Sequence, residues 1–373
     1  MKILITSVPA GSGHVRAAEA VLAAIQKTAP GVEAVHIQVT DLVTAGFRRF
    51  YVDGYRVAVN RAPSVWGRVY RFWDKPPSGL TPLLYQAQRL CSTGFYEYLD
   101  RFQPDLILST HFLVPQLLAA APERLFRPPV EMIITDYDVH HFWVSNLVSR
   151  YYVAHEDMTS ALAAYGVSPT RVVASGIPVH PSFSEPVSPS SVFRNLNLEP
   201  HRPVILMLAG GLGLNQLKDA VEKLFVIPGE IQIVTVAGKN EALRDQLDAL
   251  KPPPSIKLVN LGYVDNMHEL LAISDLVITK PGGLTVSECL ARKKIMILFS
   301  PIPGQEEKNA EFLTLHKAAA RARTLDDLPR LAAQLLTDRR ARGVILWNIE
   351  RCSRPRAAFT IAQSITQATR LAA

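Results

Sequence analysis

The sequence predicts an α/β protein of two Rossmann-like, doubly wound domains facing a central cleft. Short apolar runs alternate with helical stretches along the chain, as parallel strands covered on both faces require. A strand–glycine–helix opening near the N-terminus recurs about 200 residues later, a coarse duplication of architecture. The length of 373 residues is about two and a half typical domains.

The elements follow in order. Lys2–Val8 reads as a buried strand, a turn at Gly11 and Gly13 closes it, and 14–27 is a helix rich in Ala, Leu and Ile. Further strands are expected at Val35–Val39, Asp105–Ser109, Val130–Thr135, Tyr151–Ala154 and Val172–Ala174. The stretch Pro181–Pro203 holds five of the 27 prolines and five serines, and its first half reads as a linker. The alternation restarts with a strand at Val204–Ala209, then Gly210, Gly211 and Gly213, then a helix around Asn215–Phe225. Strands at Ile231–Val236, Lys257–Leu261, Leu276–Thr279 and Ile295–Phe299 complete the second sheet, with helices at Glu241–Leu250 and Leu284–Arg292 among those between them. The expected domains are 1–185 and 186–345, with a C-terminal helical segment, 346–373, packing back on the first.

Composition narrows the function. With 48% hydrophobic and 20% charged residues the chain is not a disordered one. Forty Lys+Arg against 33 Asp+Glu give a net charge of +7, which suits an anionic partner: nucleic acid, anionic lipid or a phosphorylated ligand. Cys91, Cys289 and Cys352 fit neither a CxxC nor a disulfide framework, so a reducing cytoplasm is expected. No apolar run reaches the length of a spanning helix. The opening MKILITSVPAGSGH reads as a strand entering a loop rather than a signal peptide.

Between Phe47 and Arg89 the basic residues Arg48, Arg49, Arg68 and Arg71 are interleaved with aromatics such as Trp66 and Trp73. Rings at headgroup level and cations on anionic lipid would make this a membrane-facing segment. Amphipathic helices with an aromatic core face and a solvated arginine face explain the same pattern.

Several loops carry candidate chemistry. Gly11 and Gly13 lead to His14 at a helix N-terminus, where the dipole disfavours imidazolium and leaves a neutral ring able to accept a proton. Arg16 stands where a dinucleotide fingerprint needs its third glycine, so a dehydrogenase is not indicated. Packing or capping is the alternative role for His14. The loops at Gly210–Gly213 and Lys280–Glu288 each end a strand and open a helix, and their bare N–H groups suit a diphosphate. Glu288 could accept two hydrogen bonds from a ribose diol, or simply complement the helix start. Gln305, Glu306 and Asn309, on a Pro-Gly loop, could orient a sugar through its hydroxyls. Asp136, Asp138, His140 and His141 lie within six residues, and Asp136-Tyr137-Asp138 has the DxD form of some metal sites. The spacing is not a helical pair and no distant third ligand is evident, so no metal is expected; a polar acceptor site with Trp143 as a stacking surface fits better.

The motifs GSGHVRAAEA, ITDYDVHHFW, GIPVHPSF, MLAGGLG, VAGKN, LGYVDNMHELLAISDLVITKPGGLTVSE and PGQEEKN resemble, in order and spacing, the processive diacylglycerol glucosyltransferases and, less closely, the plant monogalactosyldiacylglycerol synthases. The similarity runs from Met1 to about Asn309 and fades towards the Arg-rich C-terminus. It implies the two-domain GT-B fold of family 28 glycosyltransferases, with diacylglycerol or a glycosyl-diacylglycerol at the first domain and a UDP-hexose, UDP-glucose first, at the second. It implies inverting transfer without a cofactor or an essential metal, at the inner face of the cell membrane, with no nucleic-acid partner. Residue by residue, His14 matches the general base, with Asp136 offered as its steadying carboxylate. Gly282, Gly283 and Glu288 match phosphate and ribose contacts, and Gln305, Glu306 and Asn309 match the sugar loop. Gly238, Lys239 and Thr285 join the expected donor site. Gly11, Gly13, His140 and Trp143 join the acceptor side. UDP-galactose or UDP-N-acetylglucosamine with another envelope acceptor stays open, as do a nucleotide-sugar epimerase or hydrolase and a non-catalytic sensor. Ala10, where an aromatic or Gly is commoner, and the GGLG loop, which lacks a histidine that some members carry, are the departures.

Overall fold

The computed structural model describes residues 1–54, 57, 81–209 and 216–370. Gly210, Gly211, Gly213, Trp66, Arg68, Arg71 and Trp73 lie outside the described residues. The chain separates into two compact units, one of Met1–Pro181, Pro303–Gln305 and Arg356–Ala373, the other of Ser182–Ile302 and Glu306–Pro355.

The first unit holds six parallel strands: β1 (Lys2–Ser7), β2 (Glu33–Gln38), β3 (Leu106–Ser109), β4 (Val130–Ile133), β5 (Val148–Tyr152) and β6 (Val172–Val173), in the order β2-β1-β3-β4-β5-β6. Consecutive residues Ile3, Leu4 and Ile5 are all fully buried, so both faces of β1 are covered, which is why this strand reads as an unbroken apolar run. The helix Gly13–Thr28 turns Ala17, Ala18, Ala20, Val21, Ala24 and Ile25 inward. Its alanines let the C-terminal helix Ala357–Arg370 come close. Ala358, Ile361, Ala362 and Ile365 share one core with Ile3, Ile5, Val21, Ile25 and Leu108. This returning segment begins at Arg356 rather than at 346. The preceding helix, Arg339–Cys352, stays in the second unit, where Ile349 and Cys352 are buried and Ser353 Oγ donates to the Leu290 carbonyl at 2.8 Å.

The second unit holds β7 (Val204–Leu208), β8 (Ile231–Val236), β9 (Ile256–Leu261), β10 (Leu276–Thr279), β11 (Met296–Leu298) and β12 (Ala320–Arg321), all parallel, in the order β12-β11-β10-β7-β8-β9. β12 was not expected from the sequence, because two residues carry no periodicity. The second unit's core gathers Ile205, Met207, Ile233, Ile278 and Ile297 from the sheet with Leu217, Val221, Leu247 and Leu328 from the helices.

Candidate active site

In each sheet the chain begins at an inner strand, adds one strand (β2) or two (β8 and β9) to one side, then crosses to the other. The crevice beyond the strand ends at that reversal is where ligands bind in such folds. In the first unit it falls between β1 and β3, and in the second between β7 and β10.

Beyond β1, Gly11 takes φ +93°, a conformation that a side chain would strain, and Gly13 opens the helix that carries His14. His14 Nδ1 lies 2.7 Å from the carbonyl oxygen of Thr110, just past β3, and 3.1 Å from Thr135 Oγ1, just past β4. A carbonyl only accepts, so Nδ1 carries the hydrogen and the ring's lone pair falls on Nε2. Thr110 is itself held: its N–H donates to the Thr6 carbonyl at 3.0 Å and its hydroxyl donates to the His14 carbonyl at 2.9 Å. Three strand ends therefore fix one tautomer. The surrounding protein lowers the His14 pKa to about 4 by burial, against the opposing effect of the Thr110 hydrogen bond. Burial thus favours the neutral ring. Asp136 was offered as the group that steadies the ring; the acceptor found at Nδ1 is the Thr110 backbone carbonyl instead. Asp136 itself follows Thr135 and is half-buried.

Aromatic rings surround this imidazole. His111, adjacent to Thr110, meets His14 edge-on with ring centroids 4.7 Å apart. The Leu113 N–H donates to His111 Nδ1 at 3.1 Å, which leaves the hydrogen of the neutral ring on Nε2. Burial, followed by the neighbouring His14, holds the His111 pKa well below the ordinary value. The two histidines thus show complementary tautomers. Trp143 is 1% exposed, with its ring 5.5 Å from Phe112 and 6.1 Å from His14. It backs the site and is not the open stacking surface expected; Phe112 and Phe142, stacked at 5.2 Å and half-buried, are nearer that description. His140 is buried and caps the turn His141–Trp143 by accepting from the Phe142 N–H at 3.2 Å. Tyr51 meets His111 at 5.9 Å and stacks on Phe47 at 5.6 Å, so the start of the basic–aromatic segment reaches this crevice. Arg48 pairs with Asp41 at 3.0 Å on the surface, Arg49 opens the next turn, and Phe50 beside it is 80% exposed.

In the second unit, β10 leads through Lys280 and Pro281 to Gly282, which caps the helix Gly283–Ala291. Gly282 has φ −67°, and a Cβ built there would meet nothing closer than 3.7 Å, the Glu306 Oε1 atom, followed by Thr285 Oγ1 at 3.9 Å. Neither the backbone nor the packing of the folded chain requires this glycine; its missing side chain leaves the helix start open to a ligand. Glu288 lies on the second helical turn and is 5% exposed. Gln305, Glu306 and Asn309 are not loop residues. They occupy the first turns of the helix Gln305–Leu315, where Glu306 and Glu307 complement the helix dipole. Asn309 is fully buried and its Nδ2 donates to the Pro281 carbonyl at 3.0 Å; Glu306 Oε2 accepts the Ile302 N–H at 2.7 Å. Burial raises the Glu306 pKa, opposed by the Ile302 hydrogen bond and by Lys280, while burial lowers that of Lys280, opposed by Glu306. The structure thus brings Lys280, Gly282, Thr285, Glu306 and Asn309 into one neighbourhood. Gly238 (φ +64°) and Lys239 turn away from the end of β8, one strand beyond β7, where Lys239 Nζ sits 5.4 Å over the Tyr263 ring.

Thr110 and His111 were not noticed in the sequence, and Thr135, Tyr51 and Lys280 stood out only as members of longer segments. Thr110, His111, Thr135 and Lys280 each follow a strand end, and strand ends beside the reversal were the signal available.

The sequence model of the monogalactosyldiacylglycerol synthase family matches residues 14–179, and that of the glycosyltransferase family 28 C-terminal domain matches residues 204–342. The processive diacylglycerol β-glucosyltransferase of Bacillus cereus (strain B4264) is 30% identical over 349 residues, covering 90% of this chain and 86% of that protein. That of Bacillus subtilis (strain 168) is 36% identical over 245 residues, covering 65% of this chain; the match spans 63% of the relative's length. Among solved structures, MurG of Acinetobacter baumannii superposes with a TM-score of 0.65 at 17% identity, covering 98% of this chain and 99% of the other. The UDP-GlcNAc 2-epimerase of Neisseria meningitidis, bound to UDP-GlcNAc, gives 0.63 at 12% identity, covering 98% and 100%. These structural likenesses establish the two-domain fold.

Proposed function

The chain belongs to the family of the processive diacylglycerol β-glucosyltransferases, and on that premise we propose that it transfers a hexose from a UDP-sugar, UDP-glucose first, to diacylglycerol or a glycosyl-diacylglycerol at a membrane surface. The observation that carries the mechanism is the hydrogen bond from His14 Nδ1 to the Thr110 carbonyl, which directs the ring's lone pair to Nε2. The lipid hydroxyl gives its proton to Nε2 as its oxygen attacks the anomeric carbon. Direct attack opposite the departing diphosphate inverts that carbon. His111, with its hydrogen on Nε2, is a neutral donor beside the same hydroxyl and helps orient it. The apolar rings of Phe112 and Phe142 suit the glycerol and upper acyl chains.

The donor belongs to the second unit. The helix start at Gly282 and Gly283 receives the diphosphate on backbone N–H groups, Lys280 adds positive charge, and the Glu306–Asn309 turn faces the sugar hydroxyls. Developing negative charge on UDP is met by these groups, so the proposal includes no metal.

The test is release of UDP and formation of glycolipid from UDP-glucose, UDP-galactose and UDP-N-acetylglucosamine, with and without diacylglycerol vesicles. Lipid-dependent UDP release, with a new β-hexosyl lipid in the extract, is expected. Sugar epimerisation or UDP release at the same rate without lipid would overturn the reading, since the fold is shared with the epimerase.

A further inference from the structure

The helix Arg339–Cys352 of the second unit has two unlike faces. Ile349 and Cys352 are buried, and Ala341 and Ile345 pack on the core. On the other side Arg340, Val344, Trp347 and Arg351 recur at four-, three- and four-residue steps and are all exposed, Val344 to 48% and Trp347 to 60%. The Arg351 guanidinium lies 4.7 Å from the centre of the Trp347 ring. The helix has a single carboxylate, Glu350, which pairs with Lys293 at 2.6 Å. Gly343, next to the stripe, contributes no side chain to screen it, and a Cβ there would meet nothing within 4 Å.

A tryptophan and a valine standing in water between arginines contribute nothing to the core. They match an interface that is apolar a few ångströms down and anionic at its rim, where the indole settles at headgroup depth and the guanidiniums meet phosphates. A second copy fits less well, because a twofold contact through this stripe would bring arginines against arginines. We propose that the Arg340–Val344–Trp347–Arg351 face docks on an anionic bilayer, giving the second unit a lipid contact of its own. The proposal deepens the lipid-transfer reading and draws its purpose from it, but the binding is measurable without catalysis.

The experiment uses the full chain carrying Trp66→Phe and Trp73→Phe. Trp143 is buried, so lipid-dependent fluorescence then reports on Trp347. Vesicles of phosphatidylcholine with phosphatidylglycerol and brominated acyl chains should quench it and shift its emission to the blue; phosphatidylcholine alone should do neither. In co-sedimentation, Arg340→Gln and Arg351→Gln should each weaken binding about fivefold at low salt, and Trp347→Ser with Val344→Ser should weaken it comparably. Absence of quenching, or variants that bind as tightly as the parent, would overturn the proposal. So would a parent that is dimeric and a Trp347→Ser variant that is monomeric by sedimentation equilibrium, which would assign the face to self-association. With a short-chain diacylglycerol dissolved in buffer, Trp347→Ser should turn over as the parent does; loss there would mean that the face serves the fold. A parent that transfers to no lipid at all yet is quenched would sink the transfer reading and leave the docking face standing.

Discussion

The two units wind the same kind of parallel sheet and furnish its reversal point in opposite ways. Between β1 and β3 the first unit places neutral, crowded rings: His14 and His111 have lowered pKa values and are surrounded by Trp143, Phe112 and Tyr51. Beyond β10 the second places an open helix start, a lysine and a carboxylate in a polar net. The first reversal point thus gathers neutral imidazoles among aromatic rings, and the second an uncovered helix start flanked by ionisable side chains. Winding sets the place, and a few residues past each strand end set the chemistry.

The sharpest way to break that contrast is His14→Gln. Turnover should fall about 10²–10⁴-fold, while UDP affinity measured by calorimetry stays at the parent value. Near-parental turnover would remove the base from the first unit.

In the second unit the counterpart is Gly282→Ala. The site is sterically open, so thermal stability should be unchanged or slightly higher. UDP affinity should fall about tenfold, or ~1.4 kcal/mol, because a methyl group crowds the approach to the helix N-terminus. Unchanged affinity would mean that the diphosphate sits elsewhere.

The two sites also respond to pH in opposite directions. His14 has a folded pKa of about 4 against 6.5 when unfolded, so its contribution to stability is present above 6.5 and is lost as pH falls towards 4. Glu306 has a raised pKa, so its contribution is present below its ordinary value of 4.5 and is lost as pH rises through the folded value. The acid limb of kcat/KM should accordingly lie near pH 4, as read from rate profiles over the range in which the chain stays folded. A limb at the ordinary histidine value would place a different, solvated group in the role.

The smallest effects are expected at the surface and from chelation. Arg48→Ala breaks an ion pair whose side chains are both 53% exposed and should change stability by less than about 1 kcal/mol by chemical denaturation. EDTA should leave turnover unchanged; its loss, restored by a divalent cation, would add a metal to the donor site.

Much of the fold was legible because β1, β7, β8 and β10 are buried on both faces and are therefore largely apolar, with few polar interruptions. The loops that end these strands were legible for the same reason. Long-range pairings were not. Thr110 stands 96 residues from His14, and only the strand order makes it the acceptor at Nδ1. Trp143 looked like a platform because a tryptophan in a polar loop usually stays partly open, whereas here the neighbouring rings close over it. Gln305 to Asn309 looked like a loop because Pro303-Gly304 marks a turn, yet a turn also marks where a helix begins.

The return of the C-terminal helix to the first unit carries a consequence for biosynthesis. Ala358, Ile361, Ala362 and Ile365 pack beside the helix Gly13–Thr28 in the core of the first unit, and they are translated after the whole second unit. While the ribosome is still adding residues, the earliest-made sheet therefore waits with one flank uncovered, and its later-made neighbour can finish folding first. The core of the half that holds His14 is thus completed by residues made after the entire second unit.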